Sequence, residues 1–379
     1  MRAALLALAA TGCVETLPGL DETTSLAVTL VSPADPGAPD RRLPDSARMV
    51  TVQVEARDVT NQRDPRVSRS VEVYVQFLGT LTPALGTPIP FATIDLVDGA
   101  SAAVDLTLPA VFGETRLWIE DGGDDGTFAT GTSPALWYRD PFIADISTPR
   151  DLGALDALSA SPLQNKQVTV TASRYGARGR LVVTGTYAQG YSLSDVECAD
   201  EAGTPPCVAD DFDHVLVFSF SRPKDEMGRN ISAGQFLDGF AGGVQEFNGL
   251  TEMGFPQSFA TDTSVDPARI PPPARVLPSW FTTPIEFEKH ESGLIEVVGG
   301  TVCPLDDSWT TFKQWKLDVG RGCGTSSSVS VITAGVVEFD PATRVGMTVA
   351  RVVGVLRPVN IGTFNVFIMF PRDSADLTL

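Results

Sequence analysis

The chain has 379 residues, enough for two to four domains that each enclose their own core, and we expect three. Its 47 acidic residues outnumber 28 basic residues, which gives a formal net charge of −19. So acidic a chain is poorly suited to nucleic acid or to an anionic membrane face as its main partner, and we expect neither.

The first predicted element is a signal peptide that ends at a cysteine. Arg2 gives a positive start, residues 3–10 are apolar, and small residues precede Cys13. This resembles the lipobox of bacterial lipoproteins, in which the cysteine is acylated and becomes the first mature residue. The resemblance implies a signal peptide over residues 1–12, lipidation of Cys13 and a tether over 13–25. A misassigned start codon ahead of an ordinary buried cysteine is the alternative.

The predicted membrane location follows from the same segment. Val14, which is not acidic, follows the cysteine, and by resemblance to known lipoprotein sorting this implies the outer membrane. The acyl chains would then make the membrane itself a partner of the protein.

Residues 26–150 read as an immunoglobulin-like β-sandwich. Short runs of alternating apolar and polar residues are separated by turn residues, which is the pattern of half-buried strands. Seven or so strands in about 120 residues suit a sandwich of two sheets. The predicted strands are Leu26 to Ser32, Met49 to Val59, Ser70 to Phe77, Phe91 to Leu96, Ser101 to Leu108, Glu114 to Glu120 and Leu136 to Ile146.

An acidic loop, EDGGDDG, follows one of these strands. Its carboxylates, Asp121, Asp124 and Asp125, are weak candidates for calcium ligands, because Ca²⁺ prefers closely spaced oxygen donors. The EF-hand spacing fails at Gly123 and at Thr132. We therefore favour a solvated hairpin turn and predict no metal site and no cofactor.

From Gln167 the strands become longer and contain glycine and aromatic residues, which suits a five-stranded, partly open barrel over residues 160–258. The predicted order is a bent first hairpin, a short strand, a connection and a closing pair. The stretches GYSLSD, VLVFSF and VQEFNGLTEM resemble OB-fold modules of secreted bacterial proteins, which are often found beside extracellular nuclease or phosphatase domains.

A second OB-like barrel is predicted over residues 284–379. Its opening strand, HESGLIEVVGGTV, and its closing hairpin, which ends in PRDSAD, resemble the same modules. The proline-rich segment 259–283 separates the two barrels, and we expect polyproline II backbone there, which cannot pair in a sheet. We predict a strut that holds the barrels apart, with a polyproline ligand for a partner as the alternative.

The four remaining cysteines form two local pairs, as an oxidising exported compartment allows. Because each pair falls within one predicted barrel, we predict disulfides between Cys198 and Cys207 and between Cys303 and Cys323. A zinc site is the alternative, but close Cys-x-x-Cys pairs are absent from the sequence and the two histidines lie at no ligand spacing.

Catalytic motifs are few, and we predict that the protein is not an enzyme. OB-like barrels bind sugars or oligonucleotides on aromatic faces. The candidate ligand face comprises Tyr187, Tyr191 and Phe218 in the first barrel, beside Phe220, and Trp309 and Trp315 in the second, beside Phe312. Core packing is the alternative role for these rings.

The sequence therefore predicts a lipid-anchored, non-catalytic binding or scaffolding protein of the outer membrane, with envelope proteins or glycan as partners. The alternative is an accessory glycan- or nucleic-acid-binding protein for a secreted hydrolase.

Overall fold

The computed structural model describes residues 23–80, 90–121, 129–150, 160–283, 285–324, 326–333, 338–361 and 364–379. Strands account for most of its regular structure and its helices are short, so the predicted all-β class is confirmed. The chain forms two compact units. The first holds the described residues of 23–77 and 90–139, and the second holds 78–80 and those from 140 onward.

The strands up to residue 139 are β1 (Thr23–Ser32), β2 (Met49–Asp58), β3 (Ser70–Phe77), β4 (Gly79–Thr80), β5 (Ala92–Asp95), β6 (Val104–Thr107), β7 (Glu114–Glu120), β8 (Thr130–Thr132) and β9 (Leu136–Trp137). Those that follow are β10 (Lys166–Val170), β11 (Gly179–Tyr187), β12 (Gly190–Cys198), β13 (Cys207–Val208), β14 (His214–Phe218), β15 (Phe236–Leu237), β16 (Gly239–Phe247), β17 (Leu250–Phe259), β18 (Ala274–Arg275), β19 (Leu294–Val302), β20 (Gln314–Asp318), β21 (Ser328–Ile332), β22 (Thr348–Ile361), β23 (Phe364–Phe370) and β24 (Leu377–Thr378). The α-helices are α1 (Ile143–Ser147), α2 (Ile285–Glu288) and α3 (Asp307–Phe312).

The first unit is a sandwich of two sheets. In β2, Val50, Val52 and Val54 alternate with more exposed residues, so one face of the strand is buried. This strand lies in the sheet β1-β2-β6, and the other sheet runs β5-β3-β7-β8, with β9 paired to β7. The valines of β2 share one core with Val73 of β3 and Leu117 of β7. The core therefore lies between the two sheets.

The prediction of a strand from Leu136 to Ile146 is wrong over its second half. Only β9 is extended there, and α1 follows as a short helix of the second unit. The Asp145 carboxylate accepts the backbone N–H of Phe142 at 2.8 Å, as an acidic residue in a first helical turn commonly does. Ile143 and Ile146 are both buried, one helical turn apart.

The region of the first predicted barrel, called the first barrel below, holds strands β10 to β17. The hairpin β11–β12 is followed by the short strand β14 and by the closing hairpin β16–β17. The sheet runs β15-β11-β12-β14-β17-β16-β10-β4, with β13 paired to β12, and β14 pairs with β17 in parallel.

The second barrel, β18 to β24, repeats this arrangement. Its sheet runs β19-β20-β21-β23-β22, and β21 pairs with β23 in parallel. Strand β19 pairs with β22 from Leu294 to Thr301 and with β20 at Thr301 and Val302, which closes the sheet.

The proline-rich segment is not the free-standing strut that the sequence predicts. Between Pro273 and Pro278, β18 pairs in parallel with β19, so two residues without proline suffice for a sheet contact. Val276 and Trp280 from this segment are buried in the core of the second barrel. The segment therefore covers that barrel, because burying its apolar side chains lowers the free energy of the folded state.

The two barrels also touch directly. The Arg372 guanidinium binds both carboxylate oxygens of Asp376 at 2.7 and 2.9 Å, and its Nη1 donates to the Thr184 carbonyl of β11 at 2.8 Å. The Glu291 carboxylate accepts the backbone N–H of Thr251 at 2.7 Å. Tyr187 of the first barrel packs against a cluster of apolar residues that the second barrel supplies.

Both predicted disulfides are confirmed. Cys198 and Cys207 face each other across the β12–β13 pair, and Cys303 after β19 is bonded to Cys323 in the loop after β20. Each bond therefore closes a loop within one barrel.

Candidate ligand-binding site

A cleft of about 630 Å³ opens between the two barrels of the second unit. The first barrel supplies its wall from β14, β16, β17 and the β11–β12 turn, and the second barrel supplies the wall from β22 and β23. The lining residues are Gln189, Leu216, Phe218, Phe220, Gln245, Phe247, Asn248, Leu250, Glu252, Arg357, Pro358, Val359 and Phe370.

Local backbone geometry explains how the hairpin β16–β17 reaches the cleft. Its turn residues, Asn248 and Gly249, have φ of 52° and 82°, as a two-residue hairpin loop requires. The carbonyl of Asn248 accepts the backbone N–H of Asn360 from β22 at 2.6 Å. This bond ties the hairpin tip of one barrel to a strand of the other at the edge of the cleft.

Phenylalanine rings form the apolar rim. The ring of Phe220 lies edge-on to that of Phe218, with 5.2 Å between centroids, and 5.6 Å from that of Phe255. Phe220 is 70% exposed, and Phe247 and Phe255 are also largely exposed. Exposed aromatic rings that cluster at a cleft mark a surface for another molecule. They offer flat faces on which the C–H face of a sugar ring or a planar group can stack.

Arg357 lies on the opposite wall. Its guanidinium is 4.1 Å from the ring centroid of Tyr187 and 5.0 Å from that of Phe370, and both rings attract the cation. The buried Nε has no hydrogen-bond partner within the described residues. The Arg357 guanidinium is therefore held in place, and its N–H groups can still donate hydrogen bonds to another molecule.

Glu252 brings a carboxyl group to the same cleft. The residue is 6% exposed, and burial raises the pKa of its carboxyl, while the charge of Arg357 opposes this shift. The side-chain amides of Gln189, Gln245 and Asn248 make no hydrogen bond within the described residues. Ring faces, amides, a carboxyl and a guanidinium together suit noncovalent binding of a polar ligand with an apolar face.

The predicted ligand face of the first barrel is divided by the structure. Phe218 lies in the cleft, and Tyr187 supports Arg357 next to it. Tyr191, whose exposed fraction is 0%, lies inside the barrel, where its hydroxyl is 2.7 Å from that of Ser258. The three predicted residues therefore do not share one surface.

The predicted face of the second barrel lies in its own core region. Trp315 is 1% exposed, and its Nε1 donates to the Thr333 hydroxyl at 3.2 Å. Trp309 packs on the same core from α3, and the Lys313 ammonium lies 5.1 Å from its ring centroid. Neither tryptophan lines the cleft between the barrels.

The cation candidates of the first unit fall partly outside the described residues, as Asp124 and Asp125 do. Asp121 is described and is engaged by the protein. Its carboxylate accepts the Ala129 backbone N–H at 3.2 Å and lies 3.0 Å from the Arg69 guanidinium. Within the described ranges, no group of three or more His, Cys, Asp or Glu side chains is arranged to hold a metal ion.

Cys13 and the predicted signal peptide also lie outside the described residues. In the part of the chain that the structure covers, no helix is both long and apolar enough to cross a membrane.

A serine and a histidine are in contact in the interior of the first barrel, where both are buried away from solvent. The Ser194 hydroxyl is 2.7 Å from Nδ1 of His214, and both residues are buried. Burial lowers the pKa of His214 to about 3, so the ring is neutral at physiological pH. This contact satisfies two polar groups in the barrel interior.

Three arginines that lie close together in the sequence of the first barrel are all engaged by the protein. Arg174 binds the Asp213 carboxylate at 2.8 Å, Arg178 binds Glu197, and Arg180 donates to backbone carbonyls.

Sequence reasoning did not single out Phe247, Glu252, Arg357 or Phe370 as site residues. All four lie in the hairpins β16–β17 and β22–β23. Sequence reasoning missed that these two hairpins line the same cleft. Comparisons with protein-family models, with curated proteins and with solved structures found no match.

Proposed function

We propose that this protein is a non-catalytic binding protein of the cell envelope whose ligand, a glycan, occupies the cleft between the barrels. The cluster of exposed phenylalanines beside side-chain amides carries this proposal, because sugars present an apolar ring face and hydroxyl groups at once. The order of strands in both barrels supports an OB-like assignment, and the two sheets of the first unit support an immunoglobulin-like one.

Retention of the whole protein on immobilised cell-envelope polysaccharide tests the proposal. We expect Phe220→Ala and Phe247→Ala each to reduce retention at least tenfold, since each removes an exposed stacking face. Phe312→Ala is the matched control, because Phe312 is similarly exposed on the second barrel but does not line the cleft. Equal retention of all three variants would disprove the role of the cleft.

Anchoring at Cys13 in the outer membrane is part of the same proposal and rests on the lipobox-like segment. Three acyl chains, at about 0.8 kcal/mol per buried methylene, would hold the protein permanently at the membrane. Cys13→Ser is expected to leave uncleaved, unacylated protein in the soluble fraction. A free thiol on the wild-type N-terminal peptide in mass spectra would contradict the anchor.

The alternative, an accessory binder for a secreted hydrolase, shares the cleft but predicts a different partner. Cross-linked pull-downs from intact envelope separate the two. Recovery of polymer together with a hydrolase favours the alternative, and recovery of polymer without a hydrolase favours the proposal.

A further inference from the structure

We infer that Arg357 recognises a single carboxylate on the ligand, so that the glycan carries an acidic sugar such as a hexuronic acid. This inference rests on the proposed function and adds the chemical class of the ligand. Its starting point is the position of the Arg357 side chain between two aromatic rings in the cleft wall.

The rings of Tyr187 and Phe370 fix the guanidinium without neutralising it. Contacts at 4.1 and 5.0 Å from the ring centroids stabilise the cation through its face and leave the N–H groups at its edge. Arg357 lies on β22, where it pairs with Ile368 of β23, so the backbone beneath the side chain is also held. The donor group is therefore preorganised, which lowers the entropy cost of binding an anion.

What the guanidinium lacks is an acceptor. Arg372 and Arg174, the other half-buried arginines of this unit discussed above, each bind a carboxylate of the protein. The described part of the chain provides no such ion pair for Arg357, and its buried Nε is without a hydrogen-bond partner there. The terminal guanidinium nitrogens also have no acceptor among the described residues, so a ligand oxygen in the cleft that accepts from them adds a charge-assisted hydrogen bond. A carboxylate fits the two parallel donors of a guanidinium best.

The nearest acid does not serve as that acceptor. Glu252 lines the same cleft, yet no ion pair joins it to Arg357, and burial favours its neutral form. Its carboxyl oxygens can accept hydrogen bonds from sugar hydroxyl groups in the same cleft.

The charge of the lining limits the ligand to one anionic group. Arg357 is the only basic residue among the lining residues, and the chain as a whole carries a net charge of −19. A polyphosphate or a nucleic acid requires several cations along its backbone. A glycan with one carboxylate beside neutral rings matches one guanidinium beside phenylalanine faces.

Titration of the whole protein with D-glucuronate and with the uncharged methyl ester of the same sugar tests the inference. The Nε–H resonance of Arg357, assigned from Arg357→Lys, reports binding directly by NMR. We expect the acid to bind at least tenfold more tightly than the ester, and we expect Arg357→Gln to abolish this preference. Arg357→Lys keeps the positive charge but loses the two parallel N–H donors of the guanidinium. We expect this variant to keep part of the preference for the acid.

Arg351→Gln is the control, because Arg351 lies on the same strand but forms an exposed ion pair with Glu296 outside the cleft lining. It is expected to keep the full preference. Equal binding of acid and ester to the wild type would overturn the inference and leave the cleft as a site for neutral glycan. If neither sugar shifts a resonance of a cleft residue, both the inference and the proposed function fail.

Discussion

At the scale of single residues, the first barrel buries acidic groups that titrate far from their usual range. Burial raises the pKa of Asp195 to about 7 and that of Asp213 to about 6. Both belong to a network with Arg174, whose backbone N–H donates to the Asp195 carboxylate at 2.9 Å and whose side chain binds Asp213. The stability of this barrel should therefore depend on pH.

The sign follows from the folded and unfolded pKa values. Asp195 titrates near 4 when unfolded and near 7 when folded, so its contribution is fully present below pH 4 and is lost as the pH rises through 7. His214 acts in the opposite sense below pH 6.5, because burial lowers its pKa and the unfolded state takes up the proton first. A comparison of variants is needed to separate the two groups.

We predict that Asp195→Asn is more stable relative to the wild type at pH 8 than at pH 5, by roughly 2 kcal/mol, because the amide cannot ionise. Urea unfolding at both pH values measures this difference, with hydrogen-exchange mass spectrometry assigning the transition to peptides of the first barrel. Identical pH dependence in both proteins would show that folded Asp195 is already ionised at pH 5.

At the scale of elements, the sequence reveals local patterns such as strand alternation, but it does not reveal how distant elements pack together. The alternation of β2 and the local cysteine pairs are visible in the sequence, because each depends on neighbouring residues. Tyr191 and Phe218 lie in neighbouring strands with the same alternating pattern, yet Tyr191 is interior and Phe218 borders the cleft. Strand alternation defines two faces, and only the curvature of the sheet decides which face is inside.

The proline-rich segment shows the same limit. Its prolines predict an extended backbone, but the gain from burying Trp280 decides where the backbone lies. The Trp280 ring stacks on His290 at 5.0 Å and meets Phe287 edge-on at 5.2 Å.

We predict that Trp280→Ala destabilises the second barrel by about 3–5 kcal/mol, the usual cost of emptying a buried aromatic site. Phe312→Ala, an exposed ring on the same barrel, is expected to change stability by at most about 0.5 kcal/mol. Urea unfolding of both variants makes the comparison. A negligible effect at Trp280 would mean that the segment is a spacer after all.

Each disulfide is predicted to stabilise its own barrel by about 3 kcal/mol, because it closes a short loop in the unfolded chain. Replacing Cys198 and Cys207 together by alanine should lower the stability of the first barrel and leave exchange protection in the second barrel nearly unchanged. The double replacement of Cys303 and Cys323 should do the reverse. Loss of protection in both barrels from one replacement would show that local stability is shared.

At the scale of the whole second unit, the sequence predicts two separate barrels and the structure joins them. Contacts such as that from Arg372 to the Thr184 carbonyl connect residues 188 positions apart, which no local pattern indicates. The cleft shares this property, since its walls come from both barrels. The sequence predicts the strands that form the cleft, but it does not predict that the strands of the two barrels lie next to each other.

We predict that Arg372→Ala destabilises the unit by about 3 kcal/mol, because it leaves the buried Asp376 carboxylate without its cation. Arg351→Ala removes an exposed ion pair and should cost less than about 1 kcal/mol. Thermal unfolding of the two variants beside the wild type measures the difference. Equal losses would indicate that Arg372 does not hold the barrels together.

The shared cleft has a thermodynamic consequence for finding the ligand. A molecule that contacts both Phe218 and Arg357 bridges the two barrels. Separating the barrels would therefore also release the bound molecule. By linkage, a ligand at one hundred times its dissociation constant adds about 2.7 kcal/mol to stability. For a unit of this size that raises the melting temperature by roughly 5–10 °C. A label-free melting screen of acidic oligosaccharides can therefore test whether any of them binds the cleft, without a dedicated binding assay.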